Sequence, residues 1–199
     1  LTNNVAIYLF NNVEVLDFAG PFEVFSTASR VKSRLEPDAP GSFDVFTIGS
    51  GAGAIEARGG LIVQPAFDLT NHPKIDVLIL PGGIVEAEME KEHVIDWIVQ
   101  AAKKARITAS VCTGAFLLGK AGLLRARSVT THWEDIALLQ AMLPDVSVQA
   151  GKRWIEAGNI ITSAGISAGI DMSLHLVARL EDPELALRTA KQMEYDWKS

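Results

Sequence analysis

The sequence predicts an α/β fold, a mostly parallel sheet covered by helices on both faces, and three observations predict it. Short continuous apolar runs, VAIYLF, IDVLIL and ITASV, have the β-former content of strands buried on both sides. Segments with apolar residues at helical spacing lie between them, which implies βαβ crossovers and parallel pairing. At 199 residues the chain suits one domain with a sizeable core, so residues 1–199 are expected to form a single domain.

Each element follows in order. Val5 to Phe10 is the first strand, ended by Asn11 and Asn12. A loop carrying Glu14 and Asp17 follows, and Gly20-Pro21 opens a helix, since proline suits a first helical turn. FDVFTI is the second strand, AIEAR and LIVQP flank a hairpin turn at Gly59-Gly60, and IDVLIL stops at Pro81-Gly82-Gly83. From Glu86 to Ala105 one apolar face marks a long helix. ITASV is the next strand, and helical spacing resumes from Gly114 to Leu124. RSVTT, the helix EDIALLQAML, VSVQ and a hairpin about Gly158 come next, then helices from Ser167 to Leu180 and from Pro183 onward.

Composition excludes several function classes. A formal net charge of -6 supplies no basic stripe for a phosphate backbone, so no nucleic-acid binding is expected through this chain. No apolar run approaches the ~20 residues that cross a bilayer, and LTNNVAIYLF lacks the basic region and cleavage site of a signal peptide. A single cysteine cannot form an internal disulfide, which points to the cytoplasm. No phosphate-binding glycine loop and no metal-ligand spacing is present, so neither cofactor nor metal is expected.

That cysteine, Cys112, lies in SVCTGAFLLGKAGLL at the junction of strand and helix. Small residues on both flanks give S-V-C-T-G the layout of a nucleophile elbow. The helix starting at Gly114 aims unpaired N–H groups at the thiol, which predicts a lowered pKa. The N–H of Thr113, that of Gly83 or Ile84 in the PGG turn, and the Gly114 backbone are candidate oxyanion donors. An acid between Leu16 and Phe18, Asp17 is the candidate proton carrier, with a pKa raised by desolvation, and Glu14 is an alternative. Of four histidines only His132, after VTT, is placed to border the site as a base. His72, His93 and His175 read as structural or solvated.

Together LFNNVEVLDFAGPFEVF, ILPGG, SVCTGAFLLGKAGLLRARSVTTHW and ITSAGISAGIDMSLHLVARL resemble the ThiJ/PfpI superfamily, related to class I glutamine amidotransferases. Within it the chain is most similar to isonitrile hydratases, through its LDxxGPxEV-like segment, SVCTG, TTHW and GxxAGID. The resemblance implies a doubly wound, flavodoxin-like fold, usually a homodimer, acting on a small molecule without metal or organic cofactor. It implies Cys112 as nucleophile, Asp17 as acid/base, and Thr113 with the PGG backbone around the reacting atom. Thr113 stands where protease-like members carry a histidine, which argues against peptidase chemistry. SVCTG and TTHW also resemble the sensing domains of AraC-type regulators; because the sequence stops at MEYDWKS, a stand-alone protein is expected. Oxidant or metabolite sensing and glyoxalase-like action on 2-oxoaldehydes are the alternatives.

Overall fold

The computed structural model describes residues 2–38 and 40–197. Its strands are β1 (Asn3–Leu9), β2 (Phe43–Gly49), β3 (Ile55–Glu56), β4 (Ile62–Val63), β5 (Phe67–Asp68), β6 (Val77–Leu80), β7 (Ile107–Val111), β8 (Ser128–Val129), β9 (Ser147–Val148), β10 (Trp154–Ala157) and β11 (Ile160–Ser163). Its helices are α1 (Val15–Leu35), α2 (Glu86–Met89), α3 (Glu92–Lys104), α4 (Gly114–Lys120), α5 (Ile136–Met142), α6 (Ala168–Leu180) and α7 (Pro183–Gln192).

The central sheet runs β10-β11-β7-β6-β1-β2-β5. All neighbours are parallel except β10 and β11, whose antiparallel hairpin closes one edge. Strands β1, β6 and β7 occupy the middle, and every residue of β6 and β7 is buried, as continuous apolar runs require of strands covered on both faces. Helices α1, α6 and α7 pack on one another, while α2 to α5 form a second group. Gly20 permits the close approach of α1 to α6, because a Cβ there would lie 2.9 Å from Ile170 Cγ1.

Helix α4 ends at Lys120 rather than Leu124 and α7 at Gln192, short of the MEYDW segment, and two further differences from the sequence expectation bear on the site. Helix α1 starts at Val15, ahead of Gly20-Pro21, so Pro21 lies inside it and Asp17 falls in its first turn rather than in a loop. The start is set by a long-range contact: Glu14, the residue before the helix, donates its N–H to Gly82 O at 2.9 Å. The single helix expected from Glu86 to Ala105 is two, α2 and α3, separated by Glu90 and an extended Lys91. At the break Glu88 turns inward, accepts from the buried Tyr8 hydroxyl and pairs with Lys91 Nζ at 2.7 Å. Among the described residues no helix is long and apolar enough to cross a membrane.

Candidate active site

The carboxyl ends of β1, β6 and β7 lie side by side, where parallel sheets place their ligand sites. Three chain segments leave the sheet there. After β1 the chain is zipped to the PGG turn beyond β6: Glu14 N–H reaches Gly82 O, and Ile84 N–H reaches Asn12 O at 3.1 Å. Gly83 has φ 133, and a Cβ on it would sit 2.3 Å from Asn12 O, so only glycine allows this seam.

Beyond β7 stands Cys112 with φ 56, a left-handed conformation disfavoured for any residue with a side chain. The surroundings hold it there. Its N–H donates to Ser163 O at 3.2 Å, and its carbonyl accepts from the Thr131 hydroxyl at 2.8 Å. Gly114 lets the following helix approach, since a Cβ would lie 2.0 Å from Leu80 O. The geometry, a strained turn between strand and helix, is the one a nucleophile elbow has.

Beneath the elbow Asp17 is fully buried. Its Oδ2 accepts the Gly82 N–H at 3.0 Å, whereas among the described residues Oδ1 has no hydrogen-bond partner. The Cys112 thiol is close enough that thiol and carboxyl perturb each other. Burial pushes the Asp17 carboxyl up to about 7, opposed by the Gly82 N–H and reinforced by the Glu14 charge. Burial likewise pushes the Cys112 thiol up to about 12, with the Asp17 charge adding to it. The lowered thiol pKa expected from the sequence is therefore corrected: α4 is a short helix, and its N-terminal N–H groups do not outweigh desolvation and a neighbouring carboxylate.

The oxyanion assignment narrows to the Thr113 and Gly114 part of the expectation. Gly83 N–H is committed to Thr113 Oγ1 at 2.8 Å and Ile84 N–H to Asn12 O. Among the described residues, no backbone or side-chain oxygen accepts from the N–H of Thr113 or Gly114, which leaves these two at the head of the elbow. The Thr113 N–H acts to lower the Cys112 pKa, as a donor facing the sulfur does.

A cavity of about 650 Å³ opens over Cys112. Val85, Met89, Phe116, Leu138, Met142 and Ile166 give it apolar walls. Glu14 and His132 also line it, although neither takes the place next to the sulfur that Asp17 holds. Glu14 pairs with Arg58 Nη1 at 3.2 Å. The His132 ring lies against Gly165, where a Cβ would be 2.1 Å from its Cδ2, and its Nδ1 faces Asp135 Oδ2 at 3.5 Å. Gly82, Thr131 and Arg58 were not singled out by sequence reasoning; Gly82 and Thr131 fell in the PGG and TTHW segments, while nothing local distinguished Arg58. Among the described residues no group of three or more His, Cys, Asp or Glu side chains is gathered as metal ligands.

Residues 3–179 match the DJ-1/PfpI family. The chain belongs to that family. It is 32% identical to an isonitrile hydratase of Pseudomonas putida over 96% of this chain and 78% of that protein. It is 27% identical to the HTH-type transcriptional regulator GbdR of Pseudomonas aeruginosa over 97% of this chain, but it spans only 51% of that regulator. The fold of a ThiJ/PfpI family protein from Pseudomonas syringae superposes with a TM-score of 0.86 at 24% identity, covering 100% of this chain and 77% of that one. The DJ-1/PfpI fold is thus the one read from the sequence: a mostly parallel sheet flanked by helices.

Proposed function

We propose that the protein hydrates isonitriles to N-substituted formamides through a covalent cysteine intermediate. The observation that carries this reading is the buried Asp17 carboxyl, with one oxygen held by Gly82 N–H and the other without a partner among the described residues, beside a thiol strained onto an elbow. Similarity to an isonitrile hydratase supports it.

The resting pair is Cys112 as thiol and Asp17 as a carboxylate near the midpoint of its titration. Sulfur attacks the terminal isonitrile carbon, Asp17 takes the thiol proton as the S–C bond forms, and that proton passes to the same carbon. The product is a thioimidate, R–N=CH–S–Cys112. Water adds to its carbon and a proton goes to nitrogen. The C–S bond then breaks, sulfur recovers a proton, and R–NH–CHO leaves. Thr113 and Gly114 N–H groups stabilise negative charge that develops at the reacting centre. Purified, reduced protein incubated with p-nitrophenyl isocyanide is expected to yield the formamide, and Cys112→Ala to yield none. Absence of turnover by the intact protein would overturn the reading.

A second reading is a sensing domain of a longer regulator, favoured by the match to GbdR. The full reading frame decides between them, because a basic helical module joined to this chain is what a regulator requires. A homodimer is proposed on the family resemblance, with the exposed Leu16 and Phe22 of α1 as apolar surface for it. A monomer in sedimentation at micromolar concentration would count against the dimer.

A further inference from the structure

The cavity over Cys112 is apolar inside but not neutral. Among the described residues four carboxylates line it, those of Glu14, Glu86, Glu134 and Asp135, against the single guanidinium of Arg58. Arg58 is already paired with Glu14. His132 is the other basic group, and its Nδ1 accepts the Glu134 N–H at 3.4 Å while facing Asp135 and Glu134 carboxylates at 3.5 and 3.6 Å. Even a protonated His132 leaves the lining net negative. Behind the lining, the buried Asp17 beside the sulfur adds partial negative charge near neutral pH.

We propose that this cavity selects electrophiles with an apolar body and a neutral or cationic charge, and turns away anions. Charges around a partly enclosed, low-dielectric mouth act on an entering ligand together, and their effect is screened by salt. The cavity volume of about 650 Å³ falls in the range of small-molecule sites, so the whole ligand meets the field rather than its tip alone.

Because Cys112 is the only cysteine, thiol labelling reads the selection without reference to any enzymatic activity. The rates of Cys112 modification by the cationic trimethylammonioethyl and the anionic sulfonatoethyl methanethiosulfonates are each divided by the rate with 2-mercaptoethanol. At low ionic strength the normalised cationic rate is expected to exceed the anionic one by about tenfold, and the ratio to shrink in about 0.5 M salt. Glu86→Gln and Glu134→Gln, on the exposed rim, are expected to lower the ratio while keeping the fold by circular dichroism. Equal normalised rates, or failure of both reagents to reach Cys112 in the folded protein, would overturn the proposal.

A second arm rests on the hydratase reading. Methyl isocyanoacetate and isocyanoacetate differ by one negative charge, and kcat/KM is expected to favour the ester by about tenfold beyond their intrinsic reactivity difference. Turnover of neither isonitrile, with the labelling ratio intact, sinks the hydratase reading and leaves charge selection standing. Equal turnover of both sinks charge selection and leaves the hydratase.

Discussion

The Thr113 hydroxyl sits 2.8 Å from the N–H of Gly83 and 2.9 Å from its carbonyl, accepting from the first and donating to the second. One side chain thus clamps the elbow to the PGG turn, and the turn in turn presents Gly82 N–H to Asp17. Thr113→Val keeps the shape and removes both bonds. It is expected to lower kcat/KM at least tenfold, whereas Thr113→Ser stays within about threefold of wild type, since each bond contributes on the order of 1 kcal/mol. Steady-state kinetics on the pair separates the clamp from packing, because equal losses in both variants would point to the lost methyl.

In the proposed reaction Asp17 must be ionised to take the thiol proton. With its carboxyl pushed up to about 7 by burial, kcat/KM is expected to rise with pH through an ascending limb near neutrality. Asp17→Asn should erase that limb and cost about 10²–10⁴ in rate. A flat profile between pH 5 and 8 in the wild type would remove Asp17 from the proton path.

The same carboxyl makes stability depend on pH. A folded-state pKa above the unfolded value means that the native state binds the proton more tightly, so stability from this group is full below the unfolded pKa and falls as pH rises through about 7. Wild type is therefore expected to lose a few kcal/mol of stability relative to Asp17→Asn between about pH 4 and pH 8. Denaturant melts of both proteins across this range check it, and a constant difference would show that the native carboxyl titrates normally.

Much of this site was legible in the sequence, and what was not has a physical reason. ITASV is a strand over Ile107–Val111 as read, because a run of β-formers ending in small residues is a local signal, and Cys112 falls at its end. The hairpins about Gly59-Gly60 and Gly158 were local too, for both turns need positive φ. Asp17 inside a helix was not legible: Gly20-Pro21 is a strong local signal for a start, and a hydrogen bond between Glu14 and Gly82, far apart in sequence, overrides it. The inward turn of Glu88 onto Tyr8 depends likewise on a distant partner. Which N–H groups remain free at the elbow follows from the Thr113 rotamer, which no periodicity encodes.

Gly82 tests the seam from the backbone side. A Cβ there would lie 2.5 Å from Thr113 Oγ1 and 3.0 Å from Asp17 Oδ2. Gly82→Ala must push Thr113 and Asp17 apart, so activity is expected to fall by at least 10²-fold, since misplacement by about an ångström has that effect. Activity within a few fold of wild type would show that the seam tolerates what the geometry forbids.

The last expectation concerns the thiol itself. A cysteine on an elbow invites the assumption of a resting thiolate, but burial and the Asp17 charge push Cys112 up to about 12. In the proposed reaction the thiol is then activated only when substrate and Asp17 act together. Iodoacetamide should alkylate native Cys112 at pH 8 at least ~100-fold more slowly than free cysteine, since the thiolate is the reactive form. Asp17→Asn removes the neighbouring negative charge, so its alkylation midpoint is expected to move to lower pH even as turnover is lost. Mass spectrometry of the single modified site measures both proteins. Rapid alkylation of the wild type at pH 7 would mean that the thiolate is preformed, and the proton would then have to come from water or from a residue other than Cys112.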